Sequence, residues 1–211
     1  MQQEPAYQPI QFSVDYPGRD LNRLTTFFRL LVALPILIVL GAVSGQSWQW
    51  SQDQGTTAAA AAGGLLFFGP LLMILFRQKY PRWWFDFNLQ LTRFSTRVSS
   101  YLALMSDRYP STDEEQSVHL DLDYPNVKQD LNRWLPLVKW LLAIPHYIVL
   151  FFLGIAAVFA VIIAWFAILF TGRYPQSLFH FVEGVMRWWL RVEAYALLLV
   201  TDRYPPFRLA A

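Results

Sequence analysis

The sequence predicts an all-α polytopic membrane protein made of two tandem repeats. Each repeat is a transmembrane helical hairpin plus an amphipathic interfacial helix, opened by a short strand-like segment. Three observations predict this. Hydrophobic residues make up 55% of the 211-residue chain and charged residues only 15%, where an ordinary soluble domain carries about a quarter charged. The chain also repeats itself in order. "DLNRLTTFFRLLVALPILIVL" (20–40) lies over "DLNRWLPLVKWLLAIPHYIVL" (130–150) at an offset of 110, and "KYPRWWFDF" (79–87) over "RYPQSLFHF" (173–181) at 94. Both copies close on Asp-Arg-Tyr-Pro, at 107–110 and 202–205. Finally, several apolar runs approach the roughly 20 residues that a spanning helix needs.

Residues 1–9 form an N-terminal tail, and repeat 1 covers 10–111. Its spans are expected at about 24–44 and 58–76, each with a proline (Pro35, Pro70) that membrane helices tolerate as a kink. In 82–105, Trp84, Phe87, Leu91, Phe94, Val98 and Tyr101 make one apolar stripe. Asp86, Gln90, Arg93 and Arg97 make the opposite face, so this helix is expected to lie in the membrane interface. An acidic linker, 112–117, leads to repeat 2, 118–207. Its apolar stretch 134–170 would be roughly 55 Å long as one helix, nearly twice the bilayer core of about 30 Å. The sequence therefore predicts two spans, about 134–153 and 155–171, turning at Gly154. An amphipathic helix at 176–200 and a short tail, 208–211, follow. "IQFSV" and "VHLDLDY" alternate as strands do and are placed to pair with each other. The offset shortens by 16 residues between the two apolar parts, which gives repeat 1 a longer polar loop, "SGQSWQWSQDQGTT".

With four spans, every Lys and Arg falls on the side of the termini and the linker. The positive-inside rule then places both termini in the cytoplasm of a multi-pass bacterial inner-membrane protein. Tyr-Pro recurs six times, usually behind a charge and always at an element boundary. Proline ends or starts helices and tyrosine prefers the headgroup level. Tyr80, Tyr109, Tyr174 and Tyr204, with Arg108 and Arg203, are thus candidate interface anchors. Arg93, Arg97, Arg187 and Arg191 line the polar faces of the two amphipathic helices and are candidate contacts for anionic lipid headgroups. Arg29 and Lys139 share one repeat position inside a span, where an intramembrane cation is a functional candidate or snorkels to the interface.

Chemistry is scarce. The chain has no cysteine, which excludes disulfides and thiolate sites. No pair of its three histidines has metal-ligand spacing, so no metal site is expected. Phosphate-cradling loops, nucleophile elbows and Ser/His/Asp sets are missing from the sequence, so the chain reads as no enzyme and no cofactor is expected. His146, inside a span, is the one candidate ligand for haem or chlorophyll, and a satisfied core histidine is the simpler reading. A net charge of +2 is too small to argue for nucleic acid.

The segments "WLPLVKWLLAIPHYIVLFFLG" and "GRYPQSLFHFVEGVMRWWLRVEAYALLLVTDRYPPF" and the "DYP" openings resemble a family of bacterial integral membrane proteins known as a domain of unknown function, DUF4389. The resemblance covers the second copy almost completely and the first more loosely, and implies a bacterial membrane protein without a known activity. The expected function is a non-enzymatic accessory or scaffold subunit that packs against lipid and a larger membrane complex, with Trp48 and Trp50 as candidate partner contacts. The alternative is a lipid-interacting or transport protein using the arginine-lined helices.

Overall fold

"IQFSV" and "VHLDL" each alternate apolar and polar residues, so one face of a sheet built from them is apolar. A computed structural model of the chain, which describes residues 10–44, 69–112, 114 and 116–210, makes these strands β1 (Ile10–Val14) and β2 (Val118–Leu122), paired antiparallel. Phe12 stands opposite Leu120, with Ile10 against Leu122 and Val14 against Val118. These six residues are buried, while Gln11, Ser13, Asp15, His119 and Asp121 face outward.

Around the sheet run α1 (Arg23–Phe27), α2 (Arg29–Ser44), a π-helical turn (Met73–Arg77), α3 (Arg82–Leu102), α4 (Val127–Asp130), α5 (Pro136–Leu142), α6 (Ile144–Thr171) and α7 (Gln176–Ala196). α7 lies along the free edge of β1 and α3 along the free edge of β2. The Asp15 N–H donates to the Ser117 carbonyl within the pair. By alternation, the Phe12 and Leu120 carbonyls therefore point outward. Arg187 donates to the Phe12 carbonyl and Arg93 to that of Leu120. Both edges, which would otherwise template another strand, are closed by arginine. α2 packs on α3 through Ala33, Ile36, Phe94, Val98 and Tyr101, and α6 packs on α7.

The four-span expectation is corrected by this fold. Among the described residues, one helix, α6, is long and apolar enough to cross a membrane. The turn expected at Gly154 does not occur, because α6 runs unbroken through it for 28 residues. One glycine costs a helix only about 1 kcal/mol, far less than leaving the backbone of a turn unpaired in apolar surroundings. The chain breaks instead at Ala143, two residues ahead of Pro145, whose ring excludes the carbonyl four residues back. The first expected span, 24–44, is interrupted at Phe28, and α2 is a shorter apolar helix. Most of the second, 58–76, lies outside the described residues. With one such helix, multi-pass topology and two cytoplasmic termini have no structural support. The fold is also not all-α, since the strand segments form a sheet. Each of the amphipathic helices expected in the interface plane spends one arginine of its polar face on that sheet, Arg93 on β2 and Arg187 on β1.

Candidate membrane-facing surface and its buried ion pairs

α6 is apolar on every side, yet only a stripe of it is covered by protein: His146, Leu150, Ala160, Ala164 and Ile168. Much of the rest is exposed, including Phe151, Phe152, Phe159, Ile163, Phe166 and Phe170, the last 78% exposed. α2 adds Leu30, Leu31, Leu34 and Ile38, and α5 adds Trp140 and Leu141. Soluble monomers seldom expose apolar patches beyond a few hundred Å². The patch is continuous in structure: α1 packs on α6, Phe27 stacks on Trp165, and the Trp165 indole donates to the Thr26 carbonyl.

Two buried cations flank this layer. Arg29 is 2% exposed; it donates from Nη1 to the Ser106 carbonyl and from Nη2 to Asp107, and lies 4.1 Å over the Tyr101 ring. Lys139 is fully buried; its Nζ donates to the Thr201 carbonyl, pairs with Asp202 and sits 5.2 Å from the Tyr195 ring centre. The second carboxylate oxygen accepts the Asn22 N–H at Asp107 and the Asn132 N–H at Asp202. Asp107 therefore holds a cation and the N-cap of α1 at once, and Asp202 holds a cation and the turn ahead of α5. Burial pulls the Lys139 ammonium below its ordinary pKa, and the Asp202 carboxylate pulls it back up. These aspartates were missed as functional residues in the sequence. The Asp-Arg-Tyr-Pro phrase repeats once after each cation, at 107–110 and 202–205, but its distance along the chain from the cation differs between the two copies, so the repeat alone does not pair them.

Several of the remaining candidate residues make contacts within the chain. Arg93 also pairs with Asp121, Arg97 donates to the Ser111 carbonyl, and Arg187 holds Glu183 and the Leu209 carbonyl. Arg191 is buried and donates to the carbonyls of Arg208 and Ala210. Tyr80 is buried with its hydroxyl on the Leu198 carbonyl; Tyr174 is buried and its carbonyl accepts the Tyr16 hydroxyl. Burial raises the pKa of both phenols. Tyr109 is exposed with its ring edge on Tyr101, and Tyr204 donates to the Leu142 carbonyl. Arg108 lines a cleft of about 560 Å³ with Asp15, Arg19 and His119, and Arg203 a smaller one of about 250 Å³ beside Asp202. Trp48 and Trp50 lie outside the described residues.

His146 is fully buried, with Phe207 stacked 3.9 Å from its ring centre and Tyr204 tilted beside it. The Trp188 indole donates to its Nδ1 at 3.0 Å. An indole N–H can only donate, so Nδ1 accepts and Nε2 carries the hydrogen of the neutral ring. A protonated nitrogen walled in by two aromatic rings does not fit an axial ligand for haem or chlorophyll.

The sequence of α5, α6, α7 and the tail that returns over them matches one known pattern. Residues 134–208 match the family model described as a domain of unknown function, DUF4389. The matched segment holds Lys139, His146, Asp202 and the whole of α6. No curated protein and no solved structure matches the chain.

Proposed function

We propose that this chain is a non-enzymatic accessory protein held at a membrane by its apolar helix layer, where it packs against lipid and a partner membrane protein. The observation that carries the reading is the exposed apolar surface of α6, continued by α2 and α5. Water makes such a surface costly at about 25 cal/mol per Å², and a lipid or protein contact removes that cost. Arg93, Arg97, Arg187 and Arg191 each donate to groups within the chain, which favours packing over headgroup recognition. Trp48 and Trp50 remain proposed partner contacts.

We also read the chain as two copies of one unit that share a sheet. Support comes from paired geometry. The pairing Phe12–Leu120 joins positions that the two "DYP" segments make equivalent, so the register is symmetric about that pair. The Tyr16 hydroxyl donates to the Tyr174 carbonyl, and the Tyr124 hydroxyl to the Tyr80 carbonyl. Each strand is held by the amphipathic helix of the other copy.

The test is purification from native membranes in a gentle detergent, with mass spectrometry of what accompanies the chain. A stoichiometric membrane protein supports the accessory reading, and a lone chain removes it. Release of the chain from membranes by alkaline carbonate removes the membrane reading altogether.

A further inference from the structure

A helix that can cross a bilayer by length need not do so, and the neighbours of α6 decide which way it lies. At its N-terminal end, Ala143 and Leu150 pack with Trp188, Val192 and Tyr195 of α7. At its other end a short turn, 172–175, leads directly into α7, whose Phe179 and Val182 join the core with Ala160, Ala164 and Ile168. α7 therefore runs antiparallel alongside α6. Glu183 and Arg187 lie between those two contact zones, level with the middle of α6. There Glu183 accepts the Val14 N–H and Arg187 donates to the Phe12 carbonyl, so β1 sits at that level too.

This placement sets a condition on the membrane. Were α6, about 42 Å long, to cross the bilayer, the sheet would lie at bilayer depth with Gln11, Ser13, Asp15, His119 and Asp121 on its open face. The Asp121 side chain is 72% exposed, and the exposed pair of His119 and Asp15 stands beside it. Lipid-exposed sheet and charge do not occur in the hydrocarbon. Cations also flank both ends of α6. Arg133 and Arg203 stand near its start, and Arg23 and Arg173 near its end; all four are exposed. A spanning helix carries its basic excess on one side. A helix lying flat brings both ends to the same layer of phosphates.

We propose that α6 lies along one leaflet of an anionic bilayer, and that the protein docks there face-on through α2, α5 and α6 with its sheet turned to water. The proposal rests on the membrane reading above and specifies its geometry. An interfacial helix buries its apolar face about 5–10 Å deep, which suits an apolar layer one helix thick.

The chain has no native cysteine, so single-cysteine variants of the full protein test this directly. Arg173→Cys and Arg203→Cys mark the two ends of α6. Each is reacted with a membrane-impermeant maleimide in sealed native vesicles of either sidedness. The expected result is that both label in one vesicle type and both are protected in the other. Labelling of the two ends from opposite sides overturns the proposal while leaving membrane anchoring intact. A chain that does not stay with the vesicles overturns the membrane reading itself, and a stable dimer in that case assigns the apolar face to a second copy. A fluorophore on Phe159→Cys gives a second measurement: stronger quenching by shallow than by deep spin-labelled lipid is expected, and the reverse order overturns the flat geometry.

Discussion

The first half of the chain buries an arginine against Asp107, and the second half buries a lysine against Asp202. The surroundings match, with a backbone carbonyl, an aromatic ring and the N–H of an asparagine in each. The cations differ in one respect that matters. A guanidinium stays charged at any usable pH, whereas a buried ammonium can lose its proton. The position thus demands a cation to neutralise the aspartate, and the halves differ in what happens when that partner is removed.

The largest expected effects come from the aspartates. Removing one member of a buried ion pair costs about 3–5 kcal/mol, and Asp107→Ala should show that loss in denaturant unfolding throughout the neutral and alkaline range. Asp202→Ala should begin with a similar loss at neutral pH and recover as pH rises. The sign follows from Lys139: its pKa is lowered in the folded protein, so the unfolded state binds that proton more tightly and stability grows as pH climbs toward the ordinary lysine value. Equal pH profiles for the two variants would remove the distinction.

A second contrast lies at Glu193, whose counterpart in the first half is Ser99. Glu193 is half-buried, and desolvation raises its pKa to about 7. The folded state therefore favours the neutral acid. Its contribution is full below the ordinary carboxylate pKa and is lost as pH rises through about 7. Glu193→Gln should flatten the stability profile over that window and gain on the order of 2 kcal/mol above it. An unchanged profile in unfolding experiments from pH 4 to 8 would show that another group sets it.

The strand clamps differ in strength. Arg187 holds a carbonyl of β1, the tail at Leu209 and the buried Glu183, whereas Arg93 holds a carbonyl of β2 and the exposed Asp121. Arg187→Gln should cost about 2 kcal/mol and Arg93→Gln about 1 kcal/mol. Amide hydrogen exchange across β1 and β2 locates each loss.

The smallest contrast is at two helix ends. Gly172 (φ 77°) and Gln78 (φ 47°) both take the left-handed conformation that closes a helix. Gly172→Ala should cost about 1 kcal/mol, and Gln78→Gly should gain a few tenths. Thermal unfolding of the two variants should shift in opposite directions.

Much of this organisation was legible in the residues. The repeated phrases mark true element boundaries: α3 and α7 begin directly after Pro81 and Pro175. The apolar-polar alternation of "IQFSV" and "VHLDL" marks the strands, and the stripe from Trp84 to Tyr101 marks a helix. The positions of Arg29 and Lys139 were visible as a matched pair, but their partners were not. Asp107 and Asp202 stand far along the chain from them, and no local pattern encodes which carboxylate will meet which cation. The same distance hid the use of Arg93 and Arg187, which reads as lipid contact until the strand of the other half is seen beside them.

The sequence by itself determined the two strands and the starts of α3 and α7, because proline and side-chain period act within a few residues. It also determined that a large apolar surface exists. Tertiary structure alone decided that 144–171 is one helix, that each strand is held by the far half's helix, and that the cations close on aspartates rather than on lipid. Those outcomes depend on which groups lose their water together, and that is settled only when distant segments pack.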